Sequence, residues 1–308
     1  MAVDRAVDRA VEGTVDTRKT SPADPPPGDA LQRQLAGLDA LELGGATTRG
    51  RALRIWSSAW PKLGAVVLGL LAWQAVVWSG WKDPWVLPGP ADVFPELWKR
   101  VENGSLAEST ATTMQRALVG FAVSVAIGTL IGAAVARVRV LRAAFGSLIT
   151  GLQTLPSIVW LPFAVLLFNI SESAILFVVV LGAAPSIANG LISGVDYIPP
   201  ILQRAGRVMG LRGLNLYRHL ILPATLPAFV SGLKQGWAFA WRSLMAGELI
   251  VNFGRKSLGA QLGTDRDVND AAGLIATMIV ILVIGIVVDV AFGAADRALR
   301  RRWGLDGS

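Results

Sequence analysis

The segment QRAGRVMGLRGLNLYRHLILP, from Gln203 to Pro223, separates two long apolar stretches and contains Arg204, Arg207, Arg212 and Arg218. Near the centre of a bilayer, each arginine would cost roughly 2.5 to 3.5 kcal/mol, and no acidic residue in the segment neutralises them. The segment is therefore predicted to lie at a membrane surface, with the flanking apolar stretches inside the membrane.

The same segment has the signals of two short helices. Pro199 and Pro200 suit a helix start, since a missing N–H costs nothing there. Gly210 suits the left-handed position just after a helix end. Apolar residues at helical spacing mark the two helices: Leu202, Ala205, Val208 and Met209, then Leu211, Leu214, Tyr217 and Leu220. Such a surface could contact lipid headgroups or dock a soluble partner, and spacing alone does not choose.

Composition points to a membrane protein. The 308 residues are 53% hydrophobic and 17% charged, with a mean hydropathy of +0.50, and the charges cluster between apolar runs. The net charge of +7 does not indicate nucleic-acid binding, because the arginines form no continuous basic face. We therefore expect the lipid bilayer, and no nucleic acid, as a partner.

Residue usage argues against catalysis by this chain. It has no cysteine, and His219 is its single histidine, which excludes thiolate chemistry, multi-histidine zinc sites and most histidine-based triads. No GxxxxGK[ST] phosphate loop occurs. A membrane-bound enzyme is therefore the weaker hypothesis, and we expect no catalytic residue, no metal and no cofactor.

Uncharged stretches predict an all-α polytopic protein of about six transmembrane helices. The third stretch is broken by Pro156 and Pro162, so it is one span or a kinked pair. The predicted spans are Leu63–Trp81, Ala117–Ala136, Ala143–Ser171, Ser173–Val195, Pro223 to about Ile250, and Ala271–Val288.

Positive charge predicts the orientation. Four basic clusters fall on one side of these spans, which the positive-inside rule makes cytoplasmic, together with both termini. Residues 1–60 are expected to be a disordered cytoplasmic tail, residues 61–303 the membrane domain, with 198–222 as a cytoplasmic loop, and residues 304–308 a short tail. The clusters lie around Arg49–Lys62, Arg137–Arg142, Arg204–Arg218 and Arg297–Arg302.

Two glycine pairs allow helices to approach closely: Gly128-xxx-Gly132 and Gly232-xxx-Gly236. We expect them to pack helices within one chain, and a contact between subunits is the alternative.

The segment also resembles the "EAA" loop of ABC-importer permeases, E-A-A, three residues, G, nine residues, I-x-L-P. Here it reads Arg204-Ala205-Gly206, then Gly210, then Leu220-Ile221-Leu222-Pro223, with Arg204 in place of the usual Glu. Three further segments, VLPGPADVFPELW, LQTLPSIVWLPFAVLLFNISESA and AFAWRSLMAGELI, resemble the nitrate/sulfonate/taurine group of these permeases. The resemblance extends from about Leu87 to Trp303.

This resemblance implies a type I ABC-importer permease fold in the cell inner (plasma) membrane. Two copies would pair as a homodimer and bind cytoplasmic ABC ATPase subunits, which bind the ATP. A periplasmic or lipid-anchored binding protein would deliver the substrate. The residues implied in the ATPase-coupling loop are Arg204, Ala205, Gly206, Arg207, Gly210, Leu222 and Pro223.

The fifth predicted span supplies candidates for a translocation path. Arg242 would offer a planar set of donors to a sulfonate, nitrate or carboxylate, and Trp237 and Trp241, four residues apart, share a face. Alternatively, Arg242 snorkels outward or pairs with a carboxylate such as Glu248, itself a candidate for the path. Asp289 is expected near Arg297. The substrate class stays open between small anions and neutral or cationic vitamin precursors, and an ATP-independent carrier or channel is the remaining alternative.

Overall fold

The computed structural model describes residues 48–251 and 254–302 of the chain. Helix α1 (Thr48–Trp78) begins inside the predicted 1–60 tail; the rest of that tail and the predicted 304–308 tail lie outside the described residues. The chain divides into two compact units, Met1–Gly69 and Leu70–Ser308. The features discussed below belong to the second unit.

Every regular element in the described ranges is helical, as the sequence predicted. After α1, the elements are α2 (Pro90–Glu102), α3 (Ser105–Arg137), α4 (Arg139–Thr154), a 3-10 turn (Ser157–Trp160), α5 (Leu161–Phe168), α6 (Glu172–Asp196), α7 (Pro200–Val208), α8 (Gly213–Leu216), a π-helical turn (Tyr217–Ile221), α9 (Leu222–Ile250), α10 (Leu258–Asp267) and α11 (Ala271–Arg302).

Length and composition identify four candidate spans among the described residues: Trp60–Trp78, α3, α6 and α11. The third predicted span is a kinked pair, since Val140–Thr154 and Ser157–Phe168 are bent by 99°. Pro156 explains the break, because a proline disfavours helical geometry in the preceding residue, and Leu155 is extended with ψ of 128°. Counting this pair as one gives five.

Helix α9, the fifth predicted span, has 29 residues and is long enough to cross. Its sequence contains Lys234, Arg242 and Glu248, and it is not among the spans identified by length and composition. The exact number of six therefore stays a prediction.

Helix α6 lies at the centre and packs against both α3 and α9. The crossings are close because glycines meet backbone there: a Cβ on Gly128 would lie 2.7 Å from the Ala184 carbonyl oxygen, and one on Gly232 would lie 2.8 Å from the Gly190 Cα. Gly132 and Gly236 also face α6. Both glycine pairs thus pack helices within one chain, as predicted.

Candidate functional site

The arginine loop, residues 198–222, forms a compact helical hairpin. Helix α7 begins at Pro200 and ends as predicted, because Gly210 takes a left-handed φ of 85°. The Gly210 N–H donates to the Arg207 carbonyl at 3.1 Å and the Leu211 N–H donates to the Gly206 carbonyl at 2.9 Å. These two bonds form a Schellman motif, which satisfies carbonyls at the helix end and turns the chain sharply.

Gly206 allows the two halves of this hairpin to touch. It is buried, and a Cβ at this position would lie 3.0 Å from Leu220 Cδ1 and 3.1 Å from Leu216 Cδ1. Leucine side chains therefore close directly over the α7 backbone. A larger residue here would push α7 away from the turn that leads into α9.

The arginine loop joins α9 without a break. Pro223 has no N–H, and its ring would crowd the His219 carbonyl in a regular α-helix. The backbone widens into the π-helical turn Tyr217–Ile221, and the Leu222 N–H bonds the Tyr217 carbonyl. Because the helix is continuous, a displacement of the loop can be transmitted along α9.

The outward side of the hairpin combines charge and apolar surface. Arg204, Ala205 and Arg207 are exposed, and so are Val208 (87%) and Met209 (72%). The apolar stripe predicted on α7 is thus solvent-facing, since Gly206 and its leucine neighbours form the interior instead. Exposed large apolar groups rimmed by arginines are typical of a surface that binds another protein.

One contact holds the loop against a neighbouring helix, a second joins two helices beside it, and sequence reasoning missed both. The guanidinium of Arg137, at the end of α3, lies 4.6 Å from the centre of the Tyr217 ring. Arg142 of α4 forms a 2.6 Å ion pair with Asp196 at the end of α6. In the sequence, these arginines were visible only as a basic cluster.

Arg242 borders a cavity of about 400 Å³ at the break between α4 and α5. Gln153, Ser157 and Gly182 also line it. The Ser157 and Ser243 hydroxyls are 2.5 Å apart, and Gly182 permits this contact because a Cβ there would lie 2.5 Å from Ser243 Oγ. The broken span is thereby fastened to α9 beside Arg242.

A smaller cavity of about 130 Å³ lies on the other side of Arg242. Trp237 and Trp241 line it, so the structure brings three of the four predicted path residues together. The two indoles stack with centroids 6.3 Å apart, which confirms that they share a face. Both side chains nonetheless belong to the hydrophobic core, because they are only 6% and 9% exposed.

Glu248, the fourth predicted path residue, lies elsewhere. It is 1% exposed and pairs with Arg116 at 2.9 Å. The alternative in which Arg242 pairs with Glu248 is wrong, because six residues turn a helix by about 600°, which leaves the two side chains about 120° apart around its axis.

Two more hydrogen bonds surround Glu248. Thr113 Oγ1 donates to Oε2 at 2.8 Å and the Gly259 N–H donates to the same oxygen at 3.2 Å. Thr113 Oγ1 in turn accepts from the Leu258 N–H at 2.9 Å. This carboxylate therefore joins α3, α9 and α10.

Arg242 has no ion pair among the described residues, and its guanidinium lies 5.5 Å from the centre of the Phe239 ring. Asp289 pairs with Lys234 of α9 at 3.0 Å, not with Arg297 as expected. The reason is that Asp289 faces α9, whereas Arg297 lies two turns further along α11.

A second buried cation, Arg100, joins α2 to α10 and to the start of α11. Arg100 of α2 donates two hydrogen bonds to Asp265, at 2.8 and 3.0 Å, and others to Asp270 and Glu96, both at 2.9 Å. Burial opposes the charged guanidinium, but the hydrogen bonds to Asp265 and Glu96 outweigh it and raise the pKa of Arg100 above its usual value.

No group of three or more His, Cys, Asp or Glu suited to holding a metal occurs in the part of the chain that the structure describes. The carboxylates that do gather, around Arg100, already have a guanidinium among them.

These features define a helical membrane subunit. It has an exposed helical loop, and a cavity bordered by Arg242 lies beside its broken span. The chain belongs to the family of binding-protein-dependent transport system inner membrane components, whose model matches residues 124–301. It is thus a permease subunit of an ABC importer, a non-catalytic membrane component, and this family implies ATPase and binding-protein partners.

The relatives of this chain agree on the class of protein and differ in the substrate that their names give. A probable ABC transporter permease protein of Brucella melitensis is 28% identical over 214 residues, covering 70% of this chain and 86% of the relative. A putative aliphatic sulfonates transport permease protein of Escherichia coli is 29% identical, covering 59% and 70%. A riboflavin transport system permease protein of Chloroflexus aurantiacus is 27% identical, covering 79% and 91%.

The fold is also that of a solved importer. A chain of the inward-facing MetNI methionine ABC transporter aligns with a TM-score of 0.55 at 19% identity. The alignment covers 63% of this chain and 96% of that one, which supports the type I permease fold predicted from the sequence.

Proposed function

We propose that this chain forms the translocation path for a small anion, such as a sulfonate, taurine or nitrate, which an external binding protein delivers. The observation that carries the proposal is Arg242, which borders two cavities and has no carboxylate partner among the described residues. Arg242 lies eight residues before the end of α9 at Ile250, so it is about 12 Å from that end along the helix axis. A charge within a span faces a protein interior or water, where a guanidinium attracts oxyanions.

The arginine loop is the proposed docking site for ATPase subunits. Arg204, Ala205, Arg207 and Gly210 present its outward surface, Gly206 closes the hairpin, and Leu222 and Pro223 connect it to α9. Because the loop continues into α9 and Arg242 lies on that helix, closure of docked ATPases would move the proposed anion site. This arrangement supports coupling of ATP hydrolysis to substrate movement.

The loop also supports the orientation. Its arginines lie at the same ends of the spans as Arg137 and Arg142, and by the positive-inside rule we propose that both termini and the loop lie in the cytoplasm. We further propose that two copies pair as a homodimer, since Lys234 and Asp289 are partly exposed midway along α9 and α11 and need cover from protein or water.

A neutral or cationic vitamin-like substrate is the second candidate, and the riboflavin permease relative favours it. The apolar character of a 570 Å³ cavity lined by Trp241, Met245 and Met278 is compatible with such a molecule. Calorimetry on the partner binding protein, with sulfonate, nitrate and flavin ligands, separates the candidates.

The transport test uses the full complex in proteoliposomes. Uptake should require both ATP and the binding protein, and excess of a competing small anion should reduce it. Uptake without ATP would instead indicate a carrier or channel, and uptake of a neutral solute unaffected by anions would overturn the anion proposal.

A further inference from the structure

An ion pair lies midway along the spans, on the same side of α9 as Arg242. Lys234 Nζ is 3.0 Å from Asp289 Oδ1, and the two side chains are 44% and 62% exposed. Lys234 precedes Arg242 by eight residues, so it lies about 12 Å closer to the arginine loop. Ionised side chains at such a depth line a water-filled or protein-covered space rather than lipid.

The 130 Å³ cavity reaches from Arg242 to this pair, since Lys234, Asp289 and Arg242 all line it. Water occupies about 30 Å³ per molecule in the liquid, so the cavity has room for about four waters or one small ion. Two cationic side chains and one carboxylate leave its border with one excess positive charge.

Trp237 places an indole ring against the cavity. It is 6% exposed and lines the cavity, whereas its indole N–H is enclosed by protein and has no hydrogen-bond partner among the described residues. Its ring neighbours Phe121, Trp241 and Phe292 offer no oxygen or nitrogen acceptor. The environment of this ring is therefore sensitive to what the cavity contains.

Asp289 shows which ligand chemistry Lys234 accepts. Its carboxylate contacts Lys234 at the cavity border, where an oxyanion from outside would have to compete with it. The carboxylate therefore acts as an internal substitute for a bound anion, and releasing it frees the ammonium.

We propose that this cavity is a second anion site, which binds a small oxyanion, or the oxyanion group of a larger substrate, through Lys234 and Arg242, beside the Trp237 ring. Asp289 is the competing carboxylate that keeps Lys234 occupied until the anion arrives from Arg242. The inference rests on the proposed anion function and extends it by a position closer to the arginine loop.

Fluorine NMR tests the site directly. The full chain is labelled with 5-fluorotryptophan and placed in lipid nanodiscs, and the Trp237 resonance is assigned by its loss in Trp237→Phe. Sodium nitrate is the probe, and sodium gluconate at equal ionic strength is the control, because gluconate is too large for the cavity. We expect a saturable nitrate-dependent shift of the Trp237 resonance and none with gluconate.

Two variants identify the groups involved. Asp289→Asn should lower the nitrate concentration for half-saturation by about tenfold, a factor that corresponds to about 1.4 kcal/mol, because competition for Lys234 is removed. Lys234→Met should abolish the saturable shift. If nitrate leaves the Trp237 resonance unchanged in both the unmodified chain and Asp289→Asn, the site does not exist.

Transport distinguishes a failure of this inference from a failure of the proposed function. If uptake is anion-selective and depends on Arg242, yet Lys234→Met and Asp289→Asn transport normally, the second site is wrong and the proposed function stands. If the binding protein delivers a neutral substrate, the proposed function is wrong, and the NMR titration still decides whether the cavity binds an oxyanion.

Discussion

Arg116 Nη1 and Glu248 Oε1 lie 2.9 Å apart, and their side chains are 8% and 0% exposed. The two residues are 132 positions apart in the chain, on α3 and α9. Glu172 approaches the same guanidinium at 3.1 Å from the start of α6. The three central helices of the second unit therefore meet at one arginine.

Glu248→Gln is expected to destabilise the subunit by about 3 kcal/mol, because removing one partner leaves the Arg116 charge buried without full compensation. The midpoint of unfolding by sodium dodecyl sulfate measures this. Glu172→Gln is the matched control. Its carboxylate is 43% exposed, so we expect a loss of about 1 kcal/mol or less. Equal losses in the two variants would contradict the structural role of Glu248.

Gly273→Ala is expected to cost about 1 to 3 kcal/mol, because a Cβ there would overlap Arg100 Nη2 and Asp270 Oδ2 and displace the guanidinium from its carboxylates. Gly285→Ala, on the same helix, should be neutral or slightly stabilising, since its nearest neighbour is Trp241 Nε1 at 3.6 Å.

A double-mutant cycle identifies the cause of the Gly273 effect. In an Arg100→Ala background, Gly273→Ala should cost less, because the overlap with Arg100 is absent and only the overlap with Asp270 remains. The same loss with and without Arg100 would show that the glycine serves another purpose.

Gly210→Asp is expected to uncouple ATP hydrolysis from uptake while the subunit still inserts and assembles. No atom lies within 4 Å of a Cβ at this position, so the effect arises from forcing a side-chain-bearing residue to a φ of 85°, which costs about 1 to 2 kcal/mol and shifts the loop. We expect the ratio of uptake to hydrolysis to fall roughly tenfold.

Gly80→Asp is the control for backbone strain alone. Its φ is 67° and its surroundings are also open, but it lies after α1, far along the chain from the arginine loop. Coupling should be preserved in this variant. Full coupling in Gly210→Asp as well would remove the arginine loop from the coupling mechanism.

Arg242→Ala is expected to lower uptake of an anionic substrate roughly tenfold to a hundredfold, the range for losing hydrogen bonds to a charged group, with assembly unchanged. Uptake by Arg242→Lys should fall between that of Arg242→Ala and that of the unmodified protein, since an ammonium keeps the charge and loses the bidentate geometry. Arg266→Ala is the control, because Arg266 is exposed and pairs with its neighbour Asp267. Unchanged transport in Arg242→Ala would give this arginine a structural role only.

Several features of this protein could be predicted from local sequence. The cost of burying arginine placed the 198–222 segment at a surface, Gly210 marked the end of α7, and Pro156 marked the break in the third span. Each of these features depends on a residue and its neighbours in the chain, so the interactions that determine it act within one or two helical turns.

Only the tertiary structure decided which charges meet. Glu248 pairs with Arg116, and Asp289 pairs with Lys234. Arg100 pairs with Asp265, which is 165 positions away in the chain. The indoles of Trp237 and Trp241 likewise became core, although their spacing alone suited an open path. These outcomes depend on how each helix is rotated about its axis and where it crosses its neighbours. Contacts of glycines with distant segments set that rotation, and a local sequence pattern does not contain this information.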